Sequence, residues 1–105
     1  MPLYTSYINE ESRLDLSFDG NLDLTVSHDV CEVCRRARPG LSTCIIDLSD
    51  VKRVFDSGVA LLQMLHRHFD NIGTSVVLFS DRPEILEQIP VFPPQTEESS
   101  ARITL

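Results

Sequence analysis

The stretch from Thr43 to Leu62, TCIIDLSDVKRVFDSGVALL, joins a strand-like run to a helix-like run through a polar segment. Its first part, Thr43–Leu48, is almost continuously apolar and β-branched, which is typical of a strand buried on both faces. Ser49–Arg53 is predicted to be a connection. The helix is predicted to begin near Ser57 and to end near Phe69, because apolar residues recur there at helical spacing. A buried strand that leads into an amphipathic helix indicates an α/β fold.

The rest of the chain supplies further elements that fit this fold. They are, in chain order, an edge strand at Leu3–Ile8, a half-buried strand at Leu14–Phe18, a helix at Ser27–Arg38, a strand at Ser75–Phe79 and a short helix at Glu84–Gln88. The half-buried strand is predicted to stop at the turn signal Asp19-Gly20-Asn21. The order β-β-α-β-α-β-α predicts a mostly parallel sheet of four to five strands with helices packed against it.

The length of 105 residues predicts a single domain, with its core at about residues 14–92 and a tail at 93–105. Pro90, Pro93 and Pro94 deny the tail a long helix, because each proline removes a helical hydrogen bond. Pro94–Ser100 is predicted to be the most mobile segment after the first residues. Ala101–Leu105 is expected to form either a last short strand or no regular structure.

Charge and hydropathy exclude several classes of partner. The chain carries 16 acidic and 9 basic side chains, a net charge of −7, which repels the phosphates of nucleic acids and anionic lipids. No apolar run is long enough to span a membrane, so direct membrane insertion is not expected. The amino-terminal sequence MPLYTSYINEES lacks the basic end and apolar core of a secretory signal. The expected location is the cytoplasm.

One set of side chains is a candidate for metal binding. Cys31-x-x-Cys34, with His28 before it, has the spacing of a metal or redox pair, but a structural zinc site needs four ligands and no second pair follows. Cys44 remains a candidate fourth ligand. The favoured interpretation is that these cysteines are small apolar side chains of a helix and a strand, so neither a metal nor a cofactor is predicted.

Catalysis is not predicted either. Ser57 is a candidate nucleophile, but His66 and His68 follow it on the same predicted helix, more than about 13 Å away at ~1.5 Å per residue. A general base must approach its nucleophile to about 3 Å. The chain also has no glycine-rich phosphate loop. The protein is therefore not expected to be an enzyme.

Three short motifs resemble those of the STAS domain, in particular the small bacterial anti-sigma-factor antagonists. Gly20–Asp23 is similar to the family's turn motif after the second strand, Ile45–Ser49 to a strand end, and Phe55–Val59 to the start of the second long helix. The resemblance spans about Leu14–Phe92, and the order and spacing of the motifs make it more specific than any one alone. The family usually ends in a longer helix, which is predicted to be shortened or absent here.

The resemblance implies a serine phosphorylation site at the start of the second helix. The family usually has two hydroxyl residues between the aspartate and the glycine, whereas this chain has one. Aligning on the glycine, which we prefer because it keeps the following leucines in register, makes Ser57 the acceptor. Aligning on the aspartate puts Gly58 there and leaves nothing to phosphorylate. The implied partner-binding residues are Asn21, Asp23, Asp56, Ser57 and Gly58.

The resemblance also implies the partners. Unphosphorylated antagonists of this kind bind an anti-sigma factor that is also a serine kinase, phosphorylation releases it, and a serine phosphatase resets the cycle. Ser57 is in addition expected to cap its helix with the hydroxyl oxygen. An alternative is an accessory subunit that binds the ATPase of a lipid-transport complex without being phosphorylated. The missing hydroxyl mildly favours this alternative.

Overall fold

The computed structural model describes residues 3–8, 12–37, 39–89 and 102–104. The strands are β1 (Leu3–Ile8), β2 (Arg13–Leu22), β3 (Thr43–Val54), β4 (Ser75–Phe79) and β5 (Arg102–Thr104). The helices are α1 (Ser27–Arg36), α2 (Asp56–Asn71) and α3 (Pro83–Leu86), and a 3-10 helix at Leu24–Val26 precedes α1. No helix in these described ranges is both long and apolar enough to cross a membrane.

The strands form one five-stranded sheet in the order β1-β2-β3-β4-β5. The central pairs β2-β3 and β3-β4 are parallel, whereas β1 and β5 pair antiparallel at the two edges. The predicted α/β class, with a mostly parallel sheet of four to five strands and packed helices, is confirmed. Arg102–Thr104 forms the last short strand, and the predicted mobility of Pro94–Ser100 concerns residues outside the described ranges.

The core lies between the sheet and the two long helices. Alternate residues of the central strands are buried, as expected for one covered face of a sheet. They are Leu16, Phe18, Cys44, Ile46, Leu48, Val76 and Leu78, and they form one cluster with Val30, Val33, Leu61, Leu62, Leu65 and Phe69 of the helices. The intervening residues of β2 and β3 are mostly partly exposed, so the helices cover one face of these strands.

The predicted end of β2 at Asp19-Gly20-Asn21 is wrong. The strand continues to Leu22, and its pairing with β3 shifts register between Ser17 and Asp19 and again between Gly20 and Asn21. Gly20 has a φ of +82°, which only glycine adopts easily. The glycine therefore permits an irregularity within the strand and does not end it.

The predicted connection Ser49–Arg53 is also wrong, because β3 continues through it to Val54. Its pairing with β4 ends at Asp47, so the second half of β3 needs other hydrogen-bond partners on that side. Ser49 Oγ accepts the Asp81 N–H at 3.1 Å, and the Arg82 guanidinium donates to the Val51 carbonyl. These contacts hold the extension of β3 beside β2.

The helix boundaries differ from the prediction by one to two residues. The first helix ends at Arg36, and Arg38 lies outside the described ranges. The second helix begins one residue earlier and ends two residues later than predicted. The short third helix begins at Pro83, whose missing N–H has no helical partner at that position.

Candidate interaction site at the start of α2

Gly58 fixes how α2 sits against the end of β2. It is buried, and a Cβ atom built on it would lie 2.1 Å from the carbonyl oxygen of Leu22 and 2.7 Å from the Leu22 side chain. No side chain fits in that space. The Phe55 N–H donates to the same Leu22 carbonyl at 3.0 Å. Glycine is therefore required here by the close approach of two backbones.

The same contact brings the two sequence motifs together. Leu22 is followed by Asp23, and Gly58 is preceded by Asp56 and Ser57, so the motif at the end of β2 meets the motif at the start of α2. The side chains differ in exposure: Asp56 is exposed, whereas Asp23 and Ser57 are partly exposed. Asn21 is exposed on the irregular part of β2.

The prediction that Ser57 caps α2 is wrong. The capping position is Phe55, which has an extended backbone and no side-chain hydrogen bond to the helix, and Ser57 is the second helical residue. The Phe55 N–H already has its partner in Leu22, so a tertiary contact replaces the expected serine cap. Within the described ranges, the Ser57 hydroxyl has no hydrogen-bond partner.

The first turn of α2 presents free backbone donors. The first hydrogen bond of the helix runs from the Val59 N–H to the Phe55 carbonyl. Across the described part of the chain, the N–H groups of Asp56, Ser57 and Gly58 have no backbone acceptor. Free N–H groups and the positive end of the helix dipole favour an anion at this position. The first turn of α2 is therefore a position where an anion is favoured.

Asp23 has a local structural role. Its carboxylate accepts hydrogen bonds from the hydroxyl and, at 2.9 Å, from the backbone N–H of Thr25, and so caps the 3-10 helix. These two hydrogen bonds, the side-chain bond first, hold the pKa of Asp23 below its ordinary value, because both favour the ionised carboxylate. Asp23 is therefore a fixed negative charge beside the start of α2.

The strand-end motif Ile45–Ser49 has a structural explanation. The Asp47 carboxylate accepts the Ser49 N–H at 2.9 Å where β3 leaves β4. Ser49 in turn accepts the Asp81 N–H, which ties the loop after β4 to β3. Asp47 and Ser49 thus direct the extension of β3, which ends at Val54 immediately before the site, and so they position the site indirectly. The partner of Ser49, the Asp81 N–H, is 32 residues away, so the motif alone does not reveal it.

The three cysteines that were candidates for a metal site differ in their burial. Cys31 is exposed, Cys34 is partly buried and Cys44 is fully buried in the core. The described residues contain no group of three or more His, Cys, Asp or Glu side chains arranged to hold a metal. Burial, with a smaller effect from the neighbouring Cys31, raises the pKa of the Cys34 thiol. A raised pKa lowers the thiolate fraction on which metal binding and redox exchange depend.

Comparison with known proteins connects this fold to two solved proteins. The chain resembles the anti-sigma factor antagonist SpoIIAA in its unphosphorylated form, with a TM-score of 0.61 and 13% identity, over 82% of this chain and 79% of that chain. It resembles Mglu in its L-glutamate binding form with a TM-score of 0.68 and 15% identity, over 86% of this chain and 28% of that chain. It resembles the native form of Mglu with a TM-score of 0.63 and 18% identity, over 73% of this chain and 22% of that chain.

These similarities establish the fold. The chain spans about a quarter of the length of Mglu but most of the length of SpoIIAA. No protein-family model matches the sequence, and no curated protein is similar enough to count as a relative. The fold expected from the family resemblance is confirmed, because the chain shares its fold with SpoIIAA over most of both chains.

Proposed function

We propose that the protein is a non-enzymatic, cytoplasmic signalling module that works as an anti-sigma-factor antagonist. In the unphosphorylated state it binds an anti-sigma factor that is also a serine kinase, and phosphorylation of Ser57 releases that partner. A serine phosphatase restores the binding state. Asn21, Asp23, Asp56 and Gly58 surround the acceptor.

One observation carries the proposal. Ser57 lies partly exposed in the first turn of α2, beside three N–H groups that have no acceptor among the described residues. A phosphate there adds about −1.5 to −2 charges without costing the fold a hydrogen bond. In a closely packed interface the same phosphate is costly, because the oxygens that the free N–H groups do not satisfy lose water without gaining a partner. Phosphorylation therefore changes binding while leaving folding intact.

The likeness to SpoIIAA supports the choice of partner. That protein is an anti-sigma factor antagonist that exists in an unphosphorylated form, and it shares this fold over most of both chains. A second candidate is a scaffold subunit that binds a transporter ATPase and is never phosphorylated. The single hydroxyl between Asp56 and Gly58 favours the scaffold, and so does the occurrence of the same fold as part of the longer Mglu chain.

Binding measurements on Ser57 variants separate the two functions. The probes are the purified anti-sigma-factor kinases of the source organism, titrated calorimetrically with wild type, Ser57→Ala and Ser57→Asp. We expect Ser57→Ala to bind like wild type and Ser57→Asp to bind at least about tenfold more weakly, a loss of about 1.4 kcal/mol. Ser42→Asp is the charge control, because Ser42 is exposed before the amino end of β3, whereas the site lies at its carboxyl end. Equal binding of a kinase by Ser57→Asp and wild type excludes the switch, whereas no binding of wild type to any kinase favours the scaffold.

A further inference from the structure

Several exposed apolar side chains lie near the start of α2. In the described part of the chain, four large hydrophobic side chains are more than a third exposed: Leu24 (65%), Phe55 (38%), Met64 (39%) and Phe79 (39%). The Phe55 N–H donates to the Leu22 carbonyl, and Leu24 follows two residues after Leu22. Leu24 and Phe55 therefore lie on two segments that this hydrogen bond joins. Met64 lies two turns after Ser57 on the same side of α2. Phe79 belongs to β4, on the face away from the helices.

The fold does not require Leu24 to be apolar. The 3-10 helix is anchored by its last residue, Val26, which is fully buried, and is capped by Asp23. The Leu24 side chain remains mostly in water. Removing apolar surface from water contributes about 25 cal/mol per Å², so an exposed leucine contributes little to folding but can contribute to binding.

Negative charges lie on the same strands and segments as Leu24 and Phe55. Asp19, Asp50 and Asp56 are exposed, and Asp19 and Asp50 are direct neighbours across the β2-β3 pair. Asp23 adds a carboxylate whose pKa is lowered by the hydrogen bonds of Thr25. The nearby cations are Lys52, Arg53, whose guanidinium lies 5.4 Å from the centroid of the Phe55 ring, and Arg82, which donates to the Val51 carbonyl, so the four carboxylates outnumber them by one. The excess of carboxylates disfavours nucleic acid and anionic lipid and favours a basic protein surface.

We propose that Leu24 and Phe55 are the apolar anchors of the partner interface, with Met64 at its margin, and that the kinase surface they enter is an apolar pocket rimmed by Lys and Arg. This inference rests on the proposed function and specifies the chemistry of its partner. A few anchor residues buried in pockets of the partner, and not the full contact area, carry most of the binding energy in protein interfaces. Ser57 follows Phe55 by two residues and lies on the same side of α2 as Met64, so in this proposal its phosphate faces the apolar pocket.

The test compares variants in calorimetric titrations with the purified anti-sigma-factor kinases of the source organism. We expect Leu24→Ser to weaken binding at least tenfold and Leu24→Met, which keeps the apolar volume, to bind like wild type. Phe79→Thr removes an apolar side chain as exposed as Phe55 from the other face and is expected to leave affinity unchanged. The thermal unfolding midpoint of Leu24→Ser should match wild type, which separates a binding loss from a folding loss.

The charged rim is tested by association rates. We expect the association rate to fall as NaCl is raised, because screening weakens attraction between oppositely charged surfaces. Asp50→Asn should lower the rate and Lys52→Gln should raise it. Equal association rates for both variants and wild type would contradict the proposal that the partner's pocket has a basic rim.

The failures of the two proposals are distinguishable. If Ser57→Asp weakens binding and Leu24→Ser does not, the proposal of an apolar anchor at Leu24 is wrong, whereas the proposed phosphorylation switch is supported. If no kinase binds wild type, the proposed function and this inference both fail.

Discussion

The residues of the Asp56-Ser57-Gly58 motif divide into one with a structural role and two without. Gly58 is fixed by its contact with Leu22, where no Cβ can be placed. Within the described ranges, the side chains of Asp56 and Ser57 make no hydrogen bond or ion pair. The glycine therefore belongs to the fold, whereas the aspartate and the serine remain available to a partner. This division supports aligning the motif on the glycine.

Gly58→Ala should destabilise the protein in spite of the higher helix propensity of alanine. Propensity alone would stabilise the helix by about 1 kcal/mol. The added methyl group instead meets the Leu22 backbone, and overpacking of this kind costs about 1–3 kcal/mol or more. Chemical denaturation measures the difference. Ala60→Gly, at an exposed position of the same helix, isolates propensity, and an unchanged or higher stability of Gly58→Ala would contradict the close approach.

Thr25→Val should raise the pKa of Asp23. The variant removes the hydroxyl donor and keeps the backbone donor, so the ionised carboxylate loses its main stabilisation. Because the pKa of Asp23 is lowered in the folded state, its stabilising effect is present above the ordinary aspartate pKa and is lost as the pH falls through the folded pKa. The stability difference between the variant and wild type should therefore begin to shrink below about pH 4 and vanish only below the lowered pKa of folded Asp23. An NMR titration of the Asp23 carboxyl carbon measures this, and an unchanged pKa would show that Thr25 does not bind it.

The three thiols should react in the order of their exposure. Burial, with a smaller contribution from the negative charge of Asp15, raises the pKa of Cys44 to about 12. At pH 8 a disulfide reagent should therefore label exposed Cys31 first, Cys34 more slowly and Cys44 only after unfolding. Cys31→Ser should abolish the fast phase. Rapid labelling of Cys44 in the native protein would contradict its place in the core.

At the scale of the elements, local patterns predict what lies in the core, and remote contacts decide where elements end. The period-two alternation of β2 and the apolar run of β3 identify both strands correctly. Ser49–Arg53 has no apolar run, and it is extended because β2 lies on one side and Asp81 and Arg82 supply contacts on the other. Ser49 and Asp81 are 32 residues apart, so no local pattern reveals their bond.

The predicted start of α2 is wrong for the same reason. A serine near a helix start predicts a cap, since its oxygen accepts a free N–H of the first turn. Here the chain arrives from β3 with the Phe55 N–H already bonded to Leu22, and this fixes the helix start one residue before Ser57. Ser57 therefore supports no cap, and Ser57→Ala should change the free energy of unfolding by no more than about 0.5 kcal/mol. This is less than the usual loss of about 1 kcal/mol for a serine cap.

At the scale of the whole molecule, parallel topology places the motifs together. The carboxyl ends of β2 and β3 lie at the same edge of the sheet, and the segments that follow them carry Asp23 and Ser57. The order of elements predicts this edge, because ligands and partners of parallel sheets bind at the carboxyl ends of strands. The order does not predict the contact between Leu22 and Gly58 or the exposure of Leu24, which depend on packing between distant segments.

The most direct test of the account is the location of the phosphate. Wild type and Ser57→Ala are incubated with ATP and each purified anti-sigma-factor kinase of the source organism, and the modified residue is mapped by mass spectrometry. The account predicts one phosphate on Ser57 and none on Ser57→Ala. A phosphate on exposed Ser42 or Ser75 with Ser57 unmodified, or tight binding of a kinase without phosphorylation, would contradict it.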